Sequence, residues 1–246
     1  MDPSLNEVAP GPLPVGTGEE RRVPHRSRTA RWVGEHTAGF VLAGGQSTRM
    51  GRDKALSMLG GRALITHAVS ALRAAGLSAS IAGGHSGLSE FAPLIADSEQ
   101  GLGPLAGVCS GLASTNARFG VFLSVDMPFV PPELLVYLLY HAEITGSAVT
   151  VPSLAGFAQT FPAVVDCRIL PDLQVELRAG RRGCFAAFQA AAASLGENVG
   201  HVSVEFLAQS GQVVHPGGLP PVFWFLNLNT PADARRAEVL WTRRIA

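Results

Sequence analysis

Apolar residues in this chain cluster in short unbroken runs that end at glycines or prolines, and these runs alternate with stretches of helical spacing. The first run, Gly39 to Ala43, predicts a buried strand because it is short, continuous and stopped by Gly44-Gly45. Leu64, Ile65, Ala68, Val69 and Leu72 fall at helical spacing, with Gly76 as the stop. Ser78 to Ala82 predicts a second strand running into Gly83-Gly84, and Pro93 to Ala96 a short third strand with Asp97 at its end. Gly101-Leu-Gly-Pro104 opens the next helix, with Pro104 in its first turn. Val121 to Val125 predicts a fourth strand ending at Asp126, and Pro131-Pro132-Glu133 starts a helix that runs to about Glu143.

The second half is less regular. Ala148 to Pro152 and Phe161 to Val165 read as strands paired across a turn at Gly156. Helices follow over Ile169 to Ala179 and Cys184 to Leu195, and Val199 to Glu205 and Val222 to Leu226 are further strand candidates. Near the end, Thr230 is a good N-cap, Pro231 suits a first helical turn, and Asp233 favours the positive helix end. Strand, glycine turn and helix repeating at this interval predict an α/β fold, Rossmann-like, with a mostly parallel central sheet and helices on both faces. Ligands of such sheets sit outside the carboxyl ends of the strands, where the Gly44 loop, Gly83-Gly84, Asp97 and Asp126 all fall. Residues 1–36 are rich in Pro, Gly, Arg and Glu without an apolar period and predict a disordered polar tail, leaving 37–246 as the domain.

Composition narrows the partners. Hydrophobic residues make up 47% and the formal net charge is +0, so the chain can build a core and has no global field to recruit nucleic acid or an anionic membrane. No apolar run reaches membrane length. Arg21-Arg22 is followed by no apolar segment, which argues against export and for the cytoplasm. Cys109, Cys167 and Cys184 show no metal spacing and read as buried or incidental thiols; His67 and His85 read as ordinary surface or satisfied histidines.

The densest chemistry lies between Phe40 and Lys54. Gly44-Gly45 lets the backbone approach a ligand closely, and Gly45, Ser47 and their neighbours offer N–H groups that make a nest for phosphate. Arg49 and Lys54 flank Gly51 and suit a triphosphate whose charge shifts during reaction. Of 19 cationic residues, 18 are arginine, and Lys54 is the sole lysine. A compact ammonium differs from a planar fork, so its placement in this loop points to a role. Asp126, at the end of an apolar strand, is a natural Mg²⁺ ligand beside phosphates. Asn227 and Asn229 stand two apart, so both amides face one way on an extended segment.

Leu42-Ala-Gly-Gly-x-Ser-x-Arg-Met-Gly-x-Asp-Lys54 resembles the signature loop of the molybdenum cofactor guanylyltransferases. Asp97-Ser-x-x-Gly-Leu-Gly-Pro-Leu-Ala-Gly107, Val125-Asp-Met-Pro128 and Leu226-Asn-Leu-Asn-Thr-Pro231 are similar to their later motifs, in family order. The resemblance implies a fold of the nucleotide-diphospho-sugar transferase type and transfer of GMP from GTP to molybdenum-molybdopterin, with Mg²⁺ as cofactor. It also implies transient contact with molybdoenzymes or their chaperones. By the same resemblance Leu42, Ala43, Gly44, Gly45, Ser47 and Gly83 contact the nucleotide, Lys54 and Arg49 bind phosphates, Asp97 lies near the nucleoside, and Asp126 holds Mg²⁺. Pro104, Asn227 and Asn229 belong to the acceptor side. One departure stands out: the family usually carries an asparagine after the second strand, where this chain has Gly83-Gly84. A cytidylyl- or sugar-phosphate nucleotidyltransferase, or an inactive nucleotide- or cofactor-binding regulator, are the alternatives.

Overall fold

The computed structural model describes residues 36–44, 53–96, 103–181 and 183–243. Residues 1–35 of the expected tail, and Gly45, Ser47, Arg49 and Asp97, lie outside the described residues. The chain enters the sheet at β1 (Thr37–Leu42), then makes a small antiparallel hairpin of β2 (Met58–Leu59) and β3 (Arg62–Ala63). Gly60 and Gly61 form the hairpin tip with φ of 55° and 76°, a left-handed pair that glycine adopts without strain. Helix α1 (Leu64–Ala74), β4 (Ala79–Ala82), β5 (Leu94–Ile95), α2 (Pro104–Ala113), β6 (Phe119–Ser124) and α3 (Pro132–Thr145) follow in the expected order.

Among the described residues the main sheet has eight strands. Its other members are β7 (Val149–Leu154), β8 (Phe157–Ala158), β9 (Ala163–Asp166) and β10 (Gly200–Ser203), in the order β10-β7-β9-β6-β1-β4-β5 with β8 paired to β7. β1 runs parallel to both β4 and β6, and β4 parallel to β5. β9 is antiparallel to β6 and to β7, and β8 returns on β7 across the Gly156 turn. The sheet is therefore mostly parallel, with β9 reversed near its middle and the short β8 reversed beside β7.

Side-chain alternation along β1 assigns the two faces. A Cβ at Gly39 would meet the Leu72 side chain of α1, whereas Leu42 and Phe40 reach the α2 glycines Gly107 and Gly111. Helices α1 and α3 pack together on the first face. On the other, α2 packs with α4 (Leu170–Arg178) and α5 (Cys184–Ser194). Phe40 and Phe122 are register partners whose rings stack at 5.1 Å under α2, and both are buried.

Two sequence expectations need correction. The apolar run Val222 to Leu226 is not a strand but a short 3-10 helix, Pro221–Phe223, followed by a turn. Pro220 and Pro221 have no N–H for a ladder, and the buried Trp224 donates its indole N–H to the Leu219 carbonyl at 2.7 Å. Val199 to Glu205 is a strand only to Ser203; the Ser203 hydroxyl then accepts from Phe206 N at 3.3 Å and starts α6 (Val204–Gln209). The last element is α7 (Pro231–Arg243).

The close seat of α2 is testable. A Cβ at Gly111 would stand 2.9 Å from Phe122 Cε1 and 3.2 Å from the Phe40 ring, both rigid aromatics. Gly111→Val overpacks this contact and should cost about 1–3 kcal/mol. The urea midpoint is expected to fall with the slope unchanged; a midpoint equal to the parent's would show that the helix can lift without cost.

Candidate active site

The parallel register sets β1, β4 and β6 at one level: Leu42 pairs with Ala82 on one side and Ser124 on the other. The ladder runs one residue further, with Ala43 N donating to Ala82 O and Val125 N to Leu42 O, both at 3.1 Å. Beyond it the β1 and β4 turns touch. A Cβ at Gly44 would lie 3.3 Å from Gly83 Cα, and Gly83 and Gly84 have φ of 70° and 138°. Both glycines of the β4 turn are in backbone conformations that L side chains rarely adopt. A side chain at either position would strain this turn.

At the end of β6, Asp126 is held on three sides. Its Oδ2 accepts from Lys54 Nζ at 2.6 Å, its Oδ1 from the Ser124 hydroxyl at 2.5 Å, and its backbone carbonyl from Leu228 N at 3.1 Å. The Lys54 ammonium also donates to Asn229 Oδ1. Side-chain exposure is 19% for Lys54 and 14% for Asp126, so the pair is partly withdrawn from water yet reachable. Three segments far apart in sequence thus meet at one ammonium.

The C-terminal segment is held from behind. Asp233 accepts from the Thr230 hydroxyl (2.8 Å), Thr230 N (2.8 Å) and Asn229 N (3.1 Å), while Thr230 Oγ1 accepts from Asp233 N, as in a capping box. These bonds, the Thr230 hydroxyl first, hold the Asp233 carboxyl below its usual range. Leu228 is buried between the exposed Asn227 and Asn229, so both amides lie on the open side. Only Asn229 joins the Lys54 cluster by a described bond; the Asn227 amide donates to the Phe225 carbonyl at 3.3 Å. Pro104 is exposed in the first turn of α2.

The expected bystanders fall out of the chemistry. Burial pushes the thiols of Cys109 and Cys167 up to about 11 and that of Cys184 to about 12, so none is a thiolate nucleophile at neutral pH. His67 is buried with its Nε2 at 2.9 Å from Leu59 O. His85 is different: it reaches Asp53, the neighbour of Lys54. Ser124 was likewise not singled out by the sequence, although its spacing two before Asp126 was a usable signal. Among the described residues no three His, Cys, Asp or Glu side chains gather to hold a metal. Mg²⁺ needs only one or two carboxylates when phosphate oxygens and waters complete its shell, and Asp126 suits that part.

A family model described as the MobA-like NTP transferase domain matches residues 39–197. The chain belongs to this family of nucleotidyltransferases. It is 34% identical over 215 residues to a molybdenum cofactor guanylyltransferase of Mesorhizobium japonicum, covering 82% of this chain and 95% of the relative. It is 33% identical to one of Sinorhizobium fredii, covering 83% and 91%. Among solved structures, the molybdopterin-guanine dinucleotide biosynthesis protein A of Archaeoglobus fulgidus superposes with a TM-score of 0.67 at 25% identity, over 83% of this chain and 98% of that one.

Lys54 reaches acceptors on two different segments with a compact ammonium on a flexible stem, which a bulkier planar guanidinium does not match in size or shape. Lys54→Arg keeps the charge, yet nucleotidyl transfer should fall at least about tenfold, or ~1.4 kcal/mol of transition-state stabilisation. Pyrophosphate release measured beside the melting temperature checks this; parental activity in the arginine variant would reduce the sole lysine to a compositional accident.

Proposed function

We propose that this chain transfers GMP from GTP to molybdenum-molybdopterin, yielding the guanine dinucleotide cofactor and pyrophosphate. The observation that carries this reading is the Lys54–Asp126 pair at the strand ends, inside the motif order shared with the guanylyltransferases. An oxygen of the acceptor's terminal phosphate attacks the α-phosphorus of GTP. The bond to that phosphorus forms as the α–β bridging P–O bond breaks, and pyrophosphate departs with the electron pair. A phosphate is already ionised at neutral pH, so no general base and no covalent enzyme intermediate are needed.

Both reactants are anions, which makes positioning and neutralisation the main tasks. Main-chain groups from Leu42 to Gly45, with Ser47, would cradle the phosphates. Arg49 and Lys54 would offset their charge, and Gly83 and Asp97 would line the nucleoside side. Arg49, Gly45, Ser47 and Asp97 carry these roles from the motif alone. Asp126 would hold Mg²⁺, which when bound supplies further neutralisation of the phosphates. In this structure Lys54 and Asp126 neutralise each other; toward GTP the ammonium would turn to phosphate and leave the carboxylate to the metal. Asn227, Asn229 and Pro104 would face the acceptor. The reaction belongs to the cytoplasm, with transient contact to molybdoenzymes or their chaperones for delivery.

Base choice is the sharpest test. Guanine offers N–H donors beside the O6 acceptor, whereas cytosine offers acceptors beside an N–H₂ donor, so a pocket made for one leaves buried groups unpaired with the other. Discrimination of up to ~10⁴-fold is attainable by such reading. With Mg²⁺ and molybdenum-molybdopterin, turnover is expected with GTP well above CTP and ATP, the dinucleotide being identified by mass. A cytosine product in excess would move the chain to the cytidylyl reaction, and a product only with sugar phosphates would remove it from cofactor synthesis. Asp126→Ala should abolish pyrophosphate release while leaving the melting temperature nearly unchanged; near-parental turnover would end its assignment as metal ligand.

A further inference from the structure

His85 lies directly after the Gly83-Gly84 turn, on the first residue past the end of β4 that carries a large side chain. Its Nδ1 accepts the Gly87 N–H at 3.1 Å, which leaves the ring proton on Nε2, and Nε2 bonds Asp53 Oδ2. The other oxygen of Asp53 accepts from Ala55 N at 2.9 Å, so the carboxylate is fixed at both ends. Asp53 directly precedes Lys54.

The imidazole is exposed, at 55% of its side-chain surface, but it is not loose. Gly87 must be glycine for the ring to sit there, since a Cβ would stand 2.8 Å from His85 Cε1. The 3-10 turn Ser86–Leu88 is capped by His85 and anchored by the fully buried Leu88, which also abuts Gly84. A surface contact of this exposure adds little to the stability of a fold. Such elaborate placement is out of proportion to that gain.

We propose that His85 is a positioning residue for Lys54: it ties the end of β4, through Asp53, to the backbone that carries the phosphate-binding ammonium. The chain of contact runs from Leu88 in the core to the imidazole, to Asp53, to Lys54, and so to Asp126 and Asn229. The Gly-Gly-His sequence then has a positive purpose where the family usually places asparagine. It gives up a side-chain contact to the nucleotide and gains a fixed point for the loop's far end. This inference rests on the reading of Lys54 as a phosphate ligand.

Because the triphosphate is common to all nucleotides, a residue acting through Lys54 must weaken them alike. His85→Ala should raise KM about tenfold for GTP and in equal proportion for whichever other triphosphate is used, with kcat and melting temperature nearly unchanged. His85→Gln should recover most of the loss, since its amide N–H can stand where the imidazole Nε2–H stood. His85→Ala combined with Lys54→Met should bind GTP no worse than Lys54→Met alone, because the histidine then has nothing left to position. Parental KM in His85→Ala, failure of glutamine to rescue, or a loss that falls on GTP and spares CTP would each overturn the proposal; the last would mean direct contact with the base. GTP binding measured by calorimetry separates the two levels. If Lys54→Met binds GTP normally, the phosphate reading falls and this inference with it. If Lys54→Met loses GTP while His85→Ala keeps it, the positioning role alone is wrong.

Discussion

Parallel pairing of β1 with both β4 and β6 is the constraint on which the site depends. Parallel neighbours in matched register must release their chains on the same edge, and here Leu42, Ala82 and Ser124 define that edge. The apolar runs are long enough to be buried on both faces, as parallel strands require. Polar chemistry is thereby confined to the residues just beyond the runs. Gly44, Gly83 and Asp126 are neighbours for this reason, although 82 residues separate the first from the last (126 − 44).

The two ends of β6 show the same charges put to different uses. At its start, Arg118 Nε lies 3.3 Å from Oδ2 of the buried Asp166, and Arg168 lies 3.5 Å from the same carboxylate while reaching both oxygens of Glu197 at 2.8 and 2.9 Å. These ion pairs tie the reversed strand β9 to β6 and to the chain beyond it. Several N–H groups on one planar head suit that static task, Arg168 using Nε toward Asp166 and Nη2 toward Glu197. At its other end the partner of Asp126 is the lone lysine, a single nitrogen on a flexible stem. For the proposed exchange of a carboxylate for a phosphate, the second kind serves better. The placement of arginine and lysine along one strand supports the role that the bare count suggested.

Much of this was legible in the sequence. Helices α1 to α5 announced themselves by apolar period, by Pro104 and Pro132 in first turns, and by the glycine stop at Gly76. Asp126 and Lys54 were identifiable from their positions at strand and loop ends. What was not legible depended on contacts with no sequence period. The Val222 to Leu226 run has strand composition, but two prolines and the Trp224 indole bond decide otherwise. His85 looked ordinary because its partner is 32 residues away and nothing in the spacing announces it. The bond from Lys54 to Asn229 spans 175 residues, and only the family order of motifs hinted at it.

That long-range bond also explains why the C-terminal segment matters, although it lies beyond residues 39–197 of the family match. Leu228 N donates to the Asp126 carbonyl, which seats Asn229 at the ammonium. Behind it α7 returns over the β2–β3 hairpin that follows Lys54. Glu238 accepts from Gly60 N at 3.0 Å, and Trp241 lies so close that a Cβ at Gly60 would stand 2.0 Å from its Nε1. The Trp241 ring also meets His67 of α1 edge-on at 4.7 Å. One helix therefore braces the segment that carries Lys54 from one side while its own N-terminal lead-in supplies the Asn229 acceptor from the other. The ammonium is held between the two halves of the chain, so the geometry of this cluster is a property of the whole domain and not of the signature loop alone.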